Sequence, residues 1–243
     1  MAPPEPEPVS SSDPSDVSRM FSGIAARYDR ANRVLSLGRD VGWRRRLIQR
    51  ADPQPHEVVV DVCTGTADLV RDFLHAHPSL VVYGVDFARP MLDAGQRKLA
   101  GRSADALLLE GDALRLPIAN DSVDVVSVAF GLRNLIDYQM GIREMSRVLR
   151  PGGRLTILEF ATPPSRLVRT LYFAYLRHAL PRLGGWITGD RSAYSYLDRT
   201  IRAFPPPDAV VRMMEAAGLR EATFEPLTMG IAALYRGIQP PSR

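Results

Sequence analysis

Among its 243 residues the sequence carries one cysteine, Cys63, and one lysine, Lys98. A lone thiol cannot close an internal disulfide, which excludes a disulfide-stapled fold and fits a reducing cytoplasm. With lysine nearly missing, almost all of the 31 basic residues are arginines, set against 27 acids for a net charge of +4 and a pI near 9.5. That balance suggests an anionic partner, nucleic acid or membrane surface. Abundant Ala, Pro, Gly and Arg are also the imprint of GC-rich coding, which weakens the charge as evidence. No run approaches the roughly 18 to 20 uncharged apolar residues that span a bilayer. The first residues lack the basic start and apolar centre of a signal peptide. Rich in Pro, Ser and acids, residues 1–16 read as a disordered tail. Hydrophobic residues at 45% and charged residues at 24% exclude a wholly disordered or collagenous chain.

What is present is an alternation. After the tail, residues 17–52 have helical spacing, with Met20, Phe21, Ile24 and Ala25 and then Trp43, Leu47 and Ile48 on apolar faces before Asp52-Pro53. Apolar strands follow at 58–62, 80–86, 106–109, 123–129 and 154–160. Helices at 68–76, 90–99 and 138–149 separate them. Near-continuous apolar strands alternating with helices mean a parallel sheet covered on both faces. Beyond it come a helical run at 165–180, a break at Gly184-Gly185 and a helix at 194–203. Asp208 is placed to cap a further helix reaching Ala217, and strands at 222–226 and 230–237 close the chain. The spacing predicts one α/β domain over 17–238, with a helical arm at 17–52 and a helical insertion or cap at 164–204.

Ligands of an open parallel sheet bind at the carboxyl ends of its strands. The first strand ends in Asp61-Val62-Cys63-Thr64-Gly65-Thr66-Ala67-Asp68, and the second in Asp86, 21 residues beyond Gly65. An acid there can accept from both hydroxyls of a ribose. Counted from Gly65, the dinucleotide fingerprint G-x-G-x-x-G puts Ala67 and Val70 at its second and third glycines, so a pyrophosphate cofactor is disfavoured. S-adenosylmethionine carries no phosphate and needs polar contacts for its amino-acid end, which Asp61, Thr64 and Thr66 suit. The third strand leads into Gly111-Asp112-Ala113, placing an acid and a backbone N–H for adenine. An Asp after a strand can equally cap a turn. The three features in order point to a Rossmann-like, class I S-adenosylmethionine-dependent methyltransferase.

The sequence also resembles the ubiquinone/menaquinone biosynthesis C-methyltransferases, the UbiE/MenG family. Tyr28-Asp29-Arg30-Ala31-Asn32, Ala129-Phe130-Gly131-Leu132-Arg133-Asn134, Arg147-Val148-Leu149-Arg150-Pro151-Gly152-Gly153 and Tyr194-Ser195-Tyr196-Leu197 carry the match. The glycines of the third motif are expected to make a sharp turn into strand five. Ala31, Asp40, Arg150 and Ala161 depart from the family's usual Met, His, Lys and Ser, and Asp40 removes an imidazole from the arm. Cys63 and Ala67 look like the menaquinone branch. The resemblance implies a seven-stranded, mostly parallel sheet and S-adenosylmethionine contacts at Thr66, Asp86, Asp112 and Ala113, which join Asp61 and Gly65 of the first turn as cofactor candidates.

It further implies C-methylation of a polyprenyl naphthoquinol, demethylmenaquinol to menaquinol, with a benzoquinol of the ubiquinone pathway as the alternative acceptor. Arg133 and Asn134, after strand four, are the candidate catalytic pair. One would stabilise the quinolate and the other hold a ring hydroxyl, while a buried loop-organising arginine is the competing reading. Tyr28, Asp29, Asn32 and Tyr194 are candidates to line the acceptor pocket. His56, His75, His77 and His178 fall in no matched motif, and no metal site is expected. Arginines interleave with Leu167, Leu171, Tyr172, Phe173 and Leu176 in the insertion and crowd the arm at 39, 44, 45, 46 and 50. They suggest a cytoplasmic protein held peripherally at the inner face of the membrane, or else a cap over the site or a homodimer interface. A nucleic-acid methyltransferase lacks support, since Asn-Pro-Pro-Tyr is absent after strand four. A non-catalytic S-adenosylmethionine-binding subunit is the remaining rival.

Overall fold

The computed structural model describes residues 33, 36–101, 106–180 and 192–241, with the backbone alone at 192–195. The apolar runs form strands β1 (Val58–Val62), β2 (Val81–Asp86), β3 (Ala106–Glu110), β4 (Val123–Ala129), β5 (Leu149–Phe160), β6 (Arg220–Leu227) and β7 (Ala232–Ile238). They build one sheet in the order β3-β2-β1-β4-β5-β7-β6. All pairings are parallel except those of β7, which runs antiparallel to both β5 and β6. Strand order reverses between β1 and β4, and there the sheet opens its crevice for a ligand.

Alternation along each strand feeds two cores. Val59, Val125, Leu158 and Leu234 face one side, against Trp43, Leu47 and Ile48 of α1 (Asp40–Ala51) and Leu69, Val70 and Phe73 of α2 (Asp68–Ala76). The last residue of α3 (Arg89–Leu99) joins them, with Tyr172 of α5 (Arg166–Ala174) and Leu197 and Ile201 of α6 (Ser192–Ala203). Val60, Val126, Ile157 and Tyr235 face the other side, against Ile142, Met145 and Val148 of α4 (Tyr138–Val148) and Val210 and Met214 of α7 (Pro207–Ala216). Each buried side chain of this size contributes about 1.5 to 3 kcal/mol. Both faces are therefore covered, as a β1 with only Val58 incompletely buried requires.

Four local expectations are corrected. The glycines after Arg150 do not precede β5. Ladder pairing already starts at Leu149 opposite Val123 and resumes at Arg154 opposite Val125, so Pro151-Gly152-Gly153 forms a bulge inside the strand. Gly152 takes φ +81°, and the bulge is tied to Gln239 by hydrogen bonds of 2.9 and 2.8 Å. Asp208 lies in the first turn of α7 and does not cap it; Pro206 stands at that position with no side-chain bond. Gly230 is not in the last strand but ends a 3-10 turn over Thr228–Gly230, at φ +86°. The run after Pro164 is not one helix either, because α5 passes into a π-helical turn over Tyr175–Ala179. The expected tail, the first part of the arm and the Gly184-Gly185 break lie outside the described residues.

Candidate active site

The turn after β1 is built from left-handed residues at every second position. Cys63, Gly65 and Ala67 have φ of +55°, +56° and +61°. Only glycine takes this conformation without steric cost, and an L-residue gives up about 1–2 kcal/mol for it. The left-handed conformation therefore recurs at 63, 65 and 67 with glycine at only one of the three, in a spacing other than that of G-x-G-x-x-G. Counting glycines from position 65 missed this.

Asp86, at the end of β2, holds the turn. Its two carboxylate oxygens accept from the Gly65 N–H at 2.8 Å and the Ala88 N–H at 2.9 Å. A carboxylate has about four acceptor sites, so the turn does not use up its capacity to accept. Asp61, next to last in β1, is only 2% exposed and accepts from the hydroxyls of Thr64 at 2.7 Å and Ser127 at 2.9 Å. Burial pushes its carboxyl up to about 7 against the pull of those two bonds. After β3, Asp112 accepts from the Leu114 N–H at 2.9 Å and closes a turn rather than capping a helix.

These residues line one branched cleft. Its main lobe, about 170 Å³, is bounded by Asp86, Phe87, Asp112, Ala113, Asn134 and Ile136, among others. A second lobe of about 50 Å³ shares Cys63, Asp86 and Asn134 with it and adds Gly65, Phe130 and Gly131. A third of about 40 Å³ holds Asp61, Gly65, Thr66 and Arg44. Cys63 touches all three lobes, and a Cβ at Gly131 would sit 2.4 Å from the Cys63 Cβ. A side chain at 131 would therefore press on Cys63, the residue common to the three lobes. All six cofactor candidates, Asp61, Gly65, Thr66, Asp86, Asp112 and Ala113, meet in this cleft.

At the end of β4 the chain turns through a 3-10 segment, Leu132–Asn134. Arg133 is buried there: one guanidinium nitrogen donates to Glu159 at 2.8 Å and also to the Phe130 carbonyl. The same Glu159 accepts from the Arg133 backbone N–H at 3.1 Å and from the Phe160 N–H at 2.8 Å. The guanidinium also lies 5.4 Å from the Phe160 ring centroid. Glu159 is completely buried, and its part in holding this turn was missed. The available signal was a charged residue ending an apolar strand at the ligand edge. Asn134 reaches the cleft itself, whereas Arg133 is not among the residues lining the described lobes. Tyr28, Asp29 and Asn32 lie outside the described residues, as does the side chain of Tyr194.

The arm is tied to the turn after β1 by charge. Buried Arg44 pairs with Asp40 and Asp72, each at 2.8 Å, and with Asp68 at 3.6 Å. Lys98 continues the network, bonding Asp68 at 2.6 Å and the Thr66 hydroxyl at 2.9 Å. Asp40, one departure from the family pattern, is therefore a structural anion. Arg46 binds Glu225 at 2.9 Å, and Arg50 lies 3.9 Å from the same carboxylate. Arg44, Arg46 and Arg50 thus brace the fold, while Arg39 and Arg45 of the same arm are exposed.

A model of the ubiE/COQ5 methyltransferase family matches residues 9–239. The chain belongs to this family. Within it, the chain is 44% identical over 221 residues to a demethylmenaquinone methyltransferase of Thermus thermophilus, covering 91% of this chain and 100% of that one. To its Deinococcus radiodurans counterpart it is also 44% identical, covering 91% of each. Among solved structures, a methyltransferase in complex with the Haloferax volcanii Trm112 activator superposes with a TM-score of 0.66 at 18% identity, over 90% of this chain and 97% of that one. A SAM-dependent methyltransferase from Aquifex aeolicus gives 0.57 at 15% identity, over 81% and 89%. Likeness at such identities shows the fold alone, a Rossmann-like α/β methyltransferase. Among the described residues, no helix is long and apolar enough to cross a membrane.

Proposed function

We propose that the protein transfers a methyl group from S-adenosylmethionine to a ring carbon of demethylmenaquinol, a polyprenyl naphthoquinol, in menaquinone biosynthesis. The observation that carries the reading is the branched cleft, in which the six cofactor candidates converge beside Asn134 on a chain 44% identical to two demethylmenaquinone methyltransferases. The residues suit the donor. Asp86 keeps acceptor capacity for the ribose, and the apolar walls at Phe87 and Ile136 suit a purine with Asp112 at its edge. Asp61 and Thr66 line a small polar lobe for the amino-acid end. When bound, S-adenosylmethionine supplies an electrophilic sulfonium methyl; the acceptor carbon gains it, one ring proton leaves and S-adenosylhomocysteine remains.

The protein's own work lies with the acceptor, because an aromatic carbon is a weak nucleophile until a neighbouring hydroxyl gives up its proton. Asn134 stands where it can donate to the resulting oxygen anion, the kind of preorganised donor that accounts for about 10²–10³ in rate. Arg133 supplies positive charge behind it. Glu159 balances most of that charge and keeps the turn in place, so Asn134 is the more direct participant.

A lipid-tailed acceptor has to be reached at a membrane surface. Leu167 and Leu171 of α5 are 70% and 63% exposed beside exposed Arg166, while Tyr172 on the opposite face is buried. This pattern supports peripheral contact with anionic lipid as the use of that face. The Leu167→Glu, Leu171→Glu double variant should then lose co-sedimentation with phosphatidylglycerol vesicles. Retained co-sedimentation refutes this contact.

The main test supplies labelled S-adenosylmethionine with demethylmenaquinol, a prenylated benzoquinol or tRNA. Label is expected in the quinols, the naphthoquinol first. Label in tRNA, or in none of the three, overturns the reading.

A further inference from the structure

Helix α6 meets the cleft through one bond that the reaction above leaves unexplained. Tyr196 Oη donates to Asn134 Oδ1 at 3.1 Å, across 62 positions of sequence. On the other side of the same amide, Nδ2 lies 3.4 Å from the Phe130 carbonyl oxygen. These two partners decide which way the amide points. A carbonyl oxygen only accepts, so the nitrogen must face Phe130; the oxygen then faces Tyr196, whose hydroxyl can donate. Turned over, the amide would set oxygen against oxygen at Phe130. Burial pushes the Tyr196 hydroxyl above its ordinary range despite the pull of the Arg133 and Arg199 charges, so it keeps its proton at neutral pH. The amide nitrogen carries a second hydrogen, and Asn134 lines the main lobe and the second lobe of the cleft.

We propose that Tyr196 is a positioning residue that locks the Asn134 amide as a hydrogen-bond donor toward the acceptor's ring oxygen. The identity of that oxygen rests on the function proposed above; the locking of the amide does not. An amide free to turn over would present its own oxygen to the developing oxygen anion for part of the time, and those encounters are repulsive. Seating α6 on the turn that follows β4 therefore completes the donor. The Phe130 carbonyl sets the direction of the amide and the Tyr196 hydroxyl holds it there, without itself needing to touch the ligand.

Tyr196→Phe removes only the hydroxyl and keeps the ring, over which the Arg199 guanidinium sits 5.6 Å from the centroid. The variant should bind S-adenosylmethionine within about twofold of the parent and turn over demethylmenaquinol about tenfold more slowly, less than the loss of a direct oxyanion donor. In an Asn134→Ala background the same substitution should slow turnover by less than about twofold, because its only route of action is already gone. A readout independent of activity is the {¹H}-¹⁵N NOE of the Asn134 side-chain amide, assigned with Asn134→Asp. It should be close to backbone values in the parent and fall sharply in Tyr196→Phe. An unchanged NOE overturns the proposal, as does a full multiplicative loss of rate in the double variant. If the parent fails to methylate any quinol, the function reading fails and the NOE alone decides on Tyr196.

Discussion

Replacing Glu159 by Gln tests the electrostatics of the site with a change of one atom. Glu159 is fully buried and accepts three hydrogen bonds, from the Arg133 guanidinium at 2.8 Å, the Arg133 N–H at 3.1 Å and the Phe160 N–H at 2.8 Å. A Gln amide keeps one oxygen, and its NH₂ group must face one of these donors. The Arg133 side chain, itself 5% exposed, is left a buried cation that has lost the Glu159 charge. Breaking one side of such a pair costs about 3–5 kcal/mol. At roughly 2–4 °C per kcal/mol for a chain of this size, the midpoint of thermal unfolding should fall by about 6–20 °C. Arg133→Met added to Glu159→Gln removes the stranded charge and should recover more than half of the loss, since the two residues are coupled. Circular dichroism melts of the parent, both single variants and the double variant give the full cycle. A drop below about 2 °C for Glu159→Gln, or additive losses in the double variant, would refute the claim that this pair braces the turn.

Asp61 gives a pH signature. Its folded pKa is raised to about 7 by burial, so between the ordinary carboxylate range near pH 4 and about pH 7 the folded state holds a proton that the unfolded chain has lost. Its contribution to stability therefore falls across that window and levels off above it. Denaturant titrations from pH 4 to 8 should show Asp61→Asn losing less stability over this interval than the parent; parallel curves would contradict the burial argument. Gly131→Ala places a Cβ 2.4 Å from that of Cys63, where the lobes of the cleft join. Overpacking of this kind costs about 1–3 kcal/mol and should weaken S-adenosylmethionine binding by more than about tenfold. Cys63→Gly, easily accepted at φ +55°, should restore most of the binding in calorimetric titration, and a double variant as weak as the single one would count against the steric account.

The parallel core was legible because its signals are local. The β-branched run at β1, the stripe of Leu69, Val70 and Phe73 on α2, and the apolar run of β4 fix those elements without tertiary help, and their bounds agree with the spacing. The acids at strand ends were legible for the same reason, since topology alone brings Asp61, Asp86 and Asp112 to one edge. Other features are not local. Glu159 and Arg133 are 26 residues apart and meet only because β5 lies beside β4. The left-handed turn was hidden because the search asked for glycine, while the backbone asks only for a conformation that Cys63 and Ala67 can be forced to take. The early start of β5 depends on Gln239 bonding the bulge, a contact that no periodicity announces. The pairing of the arm's charges was not legible either, because composition counts charges without pairing them; Arg44 alone is surrounded by three carboxylates.

The scarcity of lysine acquires a practical meaning from where Lys98 lies. Its ammonium bridges Thr66, in the cofactor turn, and Asp68, at the start of α2, with its side chain 20% exposed. Apart from a chain terminus, amine-directed chemistry on this protein can address only that position. A single acyl group or fluorophore would thus arrive, without any engineering, on the side chain that clasps the floor of the cleft. The lysine-poor sequence thus holds a chemically unique handle beside the turn that follows β1.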